Sequence, residues 1–358
     1  MEKRKLSYTL KRNYPLSEVT RIHLGGKCSR YMEFRDLYNT NIDRLNFLEY
    51  IKNTKFKYTN EFEDLKVPFF LGNGSDVLFS DKKYIGDVVK ISSNGIFILE
   101  NYSCISDSIP ETRSNYDLKQ GDKSTASLNL SSIYFKEDKS NPVYVFAESG
   151  VRLSYLIQYT LEIGFSGLHW FSYIPANVSG AIYNNVHGGI ELLSNYIDAV
   201  VVLKNNREIK LLSNNELDFG YDKSIFQKDK SIVILGAIFK LYKQENINIY
   251  SDFSKNWIKQ KVNVQPKGYS LGSTFKNFSE EEKLKYNLPS ISAGYLIDSC
   301  NLKGFRINNA YIYEKHANFF INEGTSSEDY NNLIEYAIKK VKEQYNVTLI
   351  PEVIRVNF

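Results

Sequence analysis

Two glycine-bearing segments are where backbone chemistry is most readily expected in this chain. The first is Gly72-Asn73-Gly74-Ser75-Asp76, directly after the apolar run Pro68–Leu71. Glycines after a strand let backbone N–H groups turn inward and approach an anion closely. A plain hairpin turn would look the same. The second is Ile174-Pro175-Ala176-Asn177-Val178-Ser179-Gly180-Ala181, followed by Asn184-Asn185-Val186-His187-Gly188-Gly189. Its small side chains permit close backbone contact with a bulky, flat, phosphate-bearing ligand. It is not the dinucleotide fingerprint, and it opens no clear amphipathic helix, so a doubly wound dinucleotide fold is disfavoured. Backbone N–H groups of residues 72–76 and 175–181 are the expected cradle for such a ligand's pyrophosphate.

Other reactive residue types are sparse. The four histidines, His23, His169, His187 and His316, form no HxH or HExxH pair. Cys28, Cys104 and Cys300 are an odd number and widely spaced, with no CxxC. Neither a metal site nor a disulfide framework is expected.

The elements that must position these loops follow from pattern. Tyr31–Phe34, Pro68–Leu71, Val77–Phe79, Asp87–Ile91, Val143–Phe146, Ala199–Leu203 and Ile232–Leu241 read as strands. Residues 41–57 carry apolar positions at Ile42, Leu45, Leu48 and Ile51, a helical spacing. A helix is predicted over Arg152–Ile163, buried through Leu153, Leu156, Ile157, Thr160 and Leu161, with Gly164 as its C-terminal cap. Another is predicted over Ser327–Tyr345, with Thr325 and Glu328 at capping-box spacing. Residues 100–140 are rich in Ser, Asp, Asn and Lys and read as a polar insertion.

Composition sets outer limits. The 358 residues are 42% hydrophobic and 24% charged, which excludes disorder over the whole chain. The net charge of +4, with Lys and acidic residues interleaved, gives no basic face for nucleic acid. No apolar run approaches the roughly 20 residues of a membrane helix, and no apolar stretch follows the charged N-terminus, so a cytoplasmic protein is expected.

Eight segments, in this order, carry a family resemblance: HLGGKCSRYMEF (23–34), FLGNGSDVLFSD (70–81), the run from Ala147 to Asn184, FGYDKSIF (219–226), QPKGYSLGSTFKN (265–277), SAGYLIDSCNLKGFRI (292–307), EKHANFFIN (314–322) and PEV (351–353). Together they resemble the UDP-N-acetylenolpyruvoylglucosamine reductase family, also called UDP-N-acetylmuramate dehydrogenases, and most closely its shorter, type II branch.

The resemblance implies an α+β fold. A FAD-binding module of the vanillyl-alcohol-oxidase type would cover residues 1–245, and a smaller substrate domain residues 246–358, with the last strand returning to the flavin module. FAD would be held non-covalently between residues 72–76 and 174–189. NADPH would be the electron donor and a nucleotide sugar the substrate. Ser273 matches the family's proton-donating serine and Glu352 its glutamate. Tyr221, Lys223, Lys276, Asn277, Lys315 and His316 would line the substrate side, and Asn318 would line it or brace the domain.

Two departures stand out. The family pattern Gly-Tyr-Arg-x-Ser-x-Phe has Asp222 in the arginine's place, where an anion opposes the charge that develops on an enolpyruvyl substrate. Lys223, Arg306 and Lys315 are the candidate replacement cations. In the flavin loop, Ala176 and Ser179 replace glycines. The run Asn185–Gly188 looks more like that of sugar oxidases such as decaprenylphosphoryl-ribose oxidase, so His187 is a candidate neighbour of the flavin. These departures leave two rivals to the reductase reading: a paralogue acting on another nucleotide sugar, and a binding protein without turnover.

Overall fold

Strands buried on one face alternate, and strands buried on both faces do not; that difference organises this molecule. The computed structural model describes residues 8–35, 64–66, 68–100, 102–103, 138–205 and 208–358. The helix expected over 41–57 and nearly all of the polar segment 100–140 lie outside the described residues.

The first sheet has the order β1-β2-β5-β3, formed by β1 (Tyr8–Pro15), β2 (Lys27–Phe34), β3 (Phe69–Leu71) and β5 (Tyr84–Ile91). β4 (Val77–Phe79) follows β3 but leaves this sheet. Within the sheet Arg30 Nε donates to Asp87 Oδ1 at 2.7 Å. A planar guanidinium fork of this kind offsets the burial of Asp87, which is 2% exposed.

The second sheet is antiparallel, with order β12-β11-β13-β7-β6 and β8 (Phe165–Ser166) on the far end of β13. Its strands are β6 (Ile96–Leu99), β7 (Pro142–Glu148), β11 (Ile197–Lys204), β12 (Glu208–Ser213) and β13 (Ile232–Lys243). β11 and β13 are nearly continuous apolar runs because both faces are covered. Val200, Val202 and Phe239 pack towards helix α1 (Leu153–Glu162), and Val201, Leu203 and Leu235 pack with Met32, Val89 and Ile91 of the first sheet. Each fully buried Val, Leu or Ile contributes roughly 1.5–3 kcal/mol. Helix α1 buries the five residues that the sequence pattern marks, and Gly164 follows with φ +89°.

Between α1 and β11 lie α2 (Val178–Asn184) and the hairpin of β9 (His187–Gly188) and β10 (Glu191–Leu192). Helix α3 (Ile225–Lys228) precedes β13. Beyond β13 come α4 (Ile247–Val264), α5 (Glu280–Tyr286), α6 (Ala293–Ser299), the sheet of β14 (Arg306–Ile307), β15 (Ala310–Ile312) and β16 (Phe320–Asn322), and α7 (Ser327–Tyr345). The cap of α7 is Ser326, which accepts from Asp329 N, and not Thr325. The register moves by one residue because Asp81, reaching over from the β4–β5 loop, accepts from Ser327 N at 2.9 Å. That contact satisfies an orphan donor of the first turn and sets a negative charge on the helix's positive end.

The last strand, β17 (Ile354–Val356), runs parallel to β4, with Ile354 opposite Val77. One core accordingly joins Ile22, Leu24 and Leu78 with Leu271, Phe275, Leu333 and Val353. That closure fixes Glu352, two residues before β17, against the loop that precedes β4.

Candidate active site

The loop Gly72–Asp76 is held from two sides. Gly74 has φ +66°, and a Cβ on it would lie 2.4 Å from Val19 O, so only glycine fits. Asn73 Nδ2 and Ser75 Oγ both donate to Pro175 O, at 3.0 and 2.8 Å. Gly72 faces Asn177 so closely that a Cβ would meet Asn177 Oδ1 at 2.9 Å. The two small-residue segments thus meet edge to edge.

The second segment departs from expectation. It does open a helix, α2, capped by Asn177, whose side chain accepts from Gly180 N at 3.0 Å. Only Val178, Ala181 and Ile182 are its buried residues, and three positions over seven residues are too few to show as a periodicity. Most of the N–H groups of residues 175–181, expected with those of 72–76 to cradle a pyrophosphate, are already used. Val178 N donates to Val151 O, Ser179 N to Ser149 O and Ala181 N to Asn177 O, and Ala176 N donates to Ile174 O. Pro175 has none to give.

A cavity of about 670 Å³ opens where these loops meet the C-terminal half. Residues 72–76 and 174–177 line it, with Ser179 and Gly180. His187, Gly188, Tyr221 and Asp222 form one side, and Ser273, Asn277, His316 and Glu352 another. Several expected residues lie elsewhere. Val178 and Ala181 are fully buried in the core. Asn185 is also fully buried; it donates to Gly220 O and accepts from Ser194 N, which braces the turn carrying Tyr221 and Asp222. Lys223 reaches Asp218 at 3.1 Å, because Asp222 with φ +48° reverses the chain and the next side chain points outward. Lys315 is exposed and is not among the residues lining the cavity. Arg306 pairs with Glu323 at 2.8 Å, also away from the cavity. None of the three expected replacement cations therefore lines the site.

Lys230 and Lys261 line the cavity, and Lys276 stands behind Asp222, its Nζ 3.4 Å from Asp222 O. Short backbone pairings explain how it arrives with Ser273 and Glu352. Ser273 bridges Phe319 and Phe275 bridges Pro351. Glu352 N donates to Thr274 O, and Ile354 N donates to Asp76 O. Asn318 locks the arrangement: Oδ1 accepts from Phe275 N and Nδ2 donates to Phe275 O. It is a brace rather than a lining residue.

The corner is electrostatically loaded. Burial raises the Glu352 carboxyl well above the usual range, and the charges of Asp222 and Asp76 add to this against Lys276. Burial likewise pushes Asp76 up to about 7; Asn184 and Lys276 oppose this and Asp222 adds to it. Asn184 Nδ2 donates to Asp76 Oδ2 at 2.7 Å. Asp222 itself accepts from His187 Nδ1 at 3.0 Å. The arrangement favours the protonated form of Glu352, which lines the same cavity as the Ser273 hydroxyl.

The remaining histidines differ in role. His169 is buried, and that burial lowers it to about 3, which makes it a neutral core residue. His23 packs against Tyr269 in a tilted contact, ring centroids 4.4 Å apart. Trp170, Tyr173 and Trp257 line the cavity without having been singled out. The left-handed φ of +78° at Tyr173 leaves no signature in the sequence. Among the described residues no cluster of His, Cys, Asp and Glu could hold a metal ion, and no helix is long and apolar enough to cross a membrane.

A cavity with a glycine loop on one side and a serine and a carboxylic acid on the other is the kind of site a ligand-binding enzyme presents. Comparison with known proteins makes the class specific. Residues 265–356 match the family described as UDP-N-acetylenolpyruvoylglucosamine reductase, C-terminal domain. The UDP-N-acetylenolpyruvoylglucosamine reductase of Thermotoga petrophila is 36% identical over 211 residues, covering 58% of this chain and 70% of the relative. That of Caldanaerobacter subterraneus subsp. tengcongensis is 32% identical over 291 residues, covering 80% of this chain and 79% of the relative. The crystal structure of the enzyme from Thermus caldophilus superposes with a TM-score of 0.65 at 21% identity, covering 98% of this chain and all of the other. The fold is therefore the α+β fold of those reductases. The chain belongs to the UDP-N-acetylenolpyruvoylglucosamine reductase family.

Proposed function

We propose that this chain is a FAD-dependent oxidoreductase that uses NADPH to reduce UDP-GlcNAc-enolpyruvate, a step of peptidoglycan synthesis carried out in the cytoplasm. The observation that carries the reading is the convergence of Ser273, Glu352 and the Gly72–Asp76 loop on one cavity in a member of this family. The residues present fit a flavin. The volume of about 670 Å³ suits a large flat ligand. The gap between Gly72 and Asn177 is one that a single Cβ would fill.

Residues 72–76 would hold the flavin with Ile174, Pro175, Ala176, Asn177, Ser179, Gly180 and Gly188. Because the N–H groups at the start of α2 are committed, phosphate contacts fall to residues 72–76 and to side chains. Residues 1–245 would form the flavin-binding half and residues 246–358 the substrate-binding half. Bound FAD, once reduced, supplies the hydride for the enolpyruvyl double bond.

The chain's own residues do the rest. Ser273 Oγ donates the proton that completes the reduction. Glu352, kept protonated by burial and by its anionic neighbours, backs that donation from the same cavity. Lys276 supplies positive charge beside Asp222, and Tyr221, Asn277 and His316 shape the substrate side. The test is spectroscopic. Purified protein should be yellow, should bleach with NADPH, and should regain its colour on addition of UDP-GlcNAc-enolpyruvate. Bleached protein that the substrate does not reoxidise would refute the reading.

A further inference from the structure

We propose that Lys230, held against Tyr183 of helix α2, is the side chain that binds the diphosphate of the flavin. The proposal rests on the reductase reading, because it takes FAD to be the cofactor of this cavity. Lys230 and Tyr183 both line the cavity. Lys230 Nζ donates to the Tyr183 hydroxyl and lies 4.6 Å from the centre of its ring. A further contact, to Phe226 O at 3.4 Å, ties it back to helix α3. The neighbouring carboxylates are engaged elsewhere, Asp218 by Lys223 and Lys228, and Asp229 by Ser231. Among the described residues no carboxylate forms an ion pair with Lys230. An ammonium donates three hydrogen bonds and accepts none, so one remains for an anionic ligand.

The fold sets this ammonium beside the glycine loop. Asn184, the residue after Tyr183, donates to Asp76 Oδ2 at 2.7 Å. Earlier on α2, Gly180 and the capping Asn177 abut Gly72. Residues 72–76 therefore run along α2 as far as the turn that carries Tyr183. Helix α3 docks on the same end: Ser224 Oγ donates to Tyr183 O at 2.6 Å, and Gln227 Nε2 to Asn184 Oδ1 at 3.4 Å. Lys230 follows α3 by two residues and reaches Tyr183 from that side.

The surroundings suit the nucleotide end of the flavin. Strand β13 begins two residues beyond Lys230, and its Val233 clusters with Phe70, Val89 and Ile91 of the first sheet. All four line the cavity, so an apolar wall for a flat base stands next to the ammonium. The second lysine of the cavity, Lys261, lies over Trp257 of α4 at 4.9 Å, on the stretch of chain that also carries Ser273. Lys230 is the lysine that stands with the glycine loop. It supplies the positive charge that the committed N–H groups at the start of α2 cannot, and an ammonium on phosphate oxygen is a strong, charge-assisted contact.

The experiment compares FAD binding by the full chain as wild type, Lys230→Met, Lys230→Arg and Lys228→Met. Lys230 is solvent-exposed, so its replacement leaves the core untouched. FAD release on dilution of the holoprotein is followed by fluorescence at low and high salt. The phosphorus resonances of bound FAD are recorded, and KM for UDP-GlcNAc-enolpyruvate is measured alongside. Lys230→Met should raise the FAD dissociation constant about tenfold, the scale of a lost charge-assisted hydrogen bond, and flatten its rise with salt. Its phosphorus resonances should shift, while KM stays within about twofold. Lys230→Arg should keep most of the affinity. Lys228→Met, which removes a lysine paired with Asp218 at 2.7 Å, should match wild type. If Lys230→Met matches wild type in FAD affinity and phosphorus resonances, this assignment is wrong and the reductase reading stands. If KM alone rises, the ammonium serves the substrate and the assignment is again wrong. If wild-type protein holds no FAD, the reductase reading fails with it.

Discussion

Asn184 Nδ2 lies 2.7 Å from Asp76 Oδ2 and ties the end of helix α2 to the loop between β3 and β4. The bond joins the two small-residue segments at a point where the sequence shows only an ordinary Asn and an ordinary Asp. It favours the charged form of Asp76, yet burial and the Asp222 charge push that carboxyl up to about 7.

A pH dependence of stability follows. A carboxyl raised in the folded state holds a proton that the unfolded chain loses near pH 4. Its contribution is full below that pH and declines as pH rises through about 7. Asp76→Asn keeps the acceptor for Asn184 and removes the decline. Thermal melts should show its stability relative to wild type growing between about pH 5 and pH 8, by on the order of 1–2 kcal/mol. A constant difference across that range would place Asp76 in a wetter setting than the structure gives it.

Ser273→Ala and Glu352→Gln should each lower kcat by roughly 10²–10³ with flavin content unchanged, the usual scale for a lost proton donor. In wild-type protein kcat should fall as pH rises through the raised Glu352 pKa, because the acid form is the useful one. That alkaline limb should vanish in Glu352→Gln. A variant that keeps the limb would assign it to another group.

The lysines give a contrast. Lys276 opposes the raised pKa values of both Glu352 and Asp76 and touches Asp222 O. Lys276→Met should raise KM for the anionic substrate at least about tenfold. Lys223→Ala and Lys315→Ala, which do not face Asp76 or Glu352, should leave KM within about twofold, as surface charges usually do. Steady-state kinetics on the three variants decides the matter, and a large effect from Lys223 alone would mean that the turn at Asp222 opens in solution.

The contrast also marks how much was legible beforehand. The α1 face, both central strands and the two glycine segments could be read from the sequence, because period and composition report burial directly. The family resemblance placed Ser273 and Glu352, which no local pattern distinguishes from a turn serine and a surface glutamate. What could not be read depended on reversals of the chain. Asp222 at φ +48° turns Lys223 out towards Asp218, and Asp81 shifts the α7 cap from Thr325 to Ser326. Val178 and Ala181 fell on the core side for a related reason: a seven-residue helix was hidden among small residues whose side chains carry little periodic signal. The pairing of Asp222 with His187, 35 residues apart, had no sequence signature at all.

Asn177 offers a test of the loop contact. Its side chain caps α2 and abuts Gly72. Asn177→Ala should cost about 1 kcal/mol through the lost cap. It should also weaken flavin retention, because Gly180 N and the Gly72 loop lose their common neighbour. Flavin dissociation followed by fluorescence would check this; unchanged retention would show that the loops meet without Asn177.

The account stands most directly on one anaerobic titration. Protein bleached with one equivalent of NADPH is mixed with UDP-GlcNAc-enolpyruvate, and flavin absorbance is followed. The prediction is rapid reoxidation in wild-type protein, slowed by roughly 10²–10³ in Ser273→Ala. Absorbance that recovers equally fast in the two proteins would contradict Ser273 as the proton donor, and absorbance that fails to recover in wild type would contradict the reductase itself.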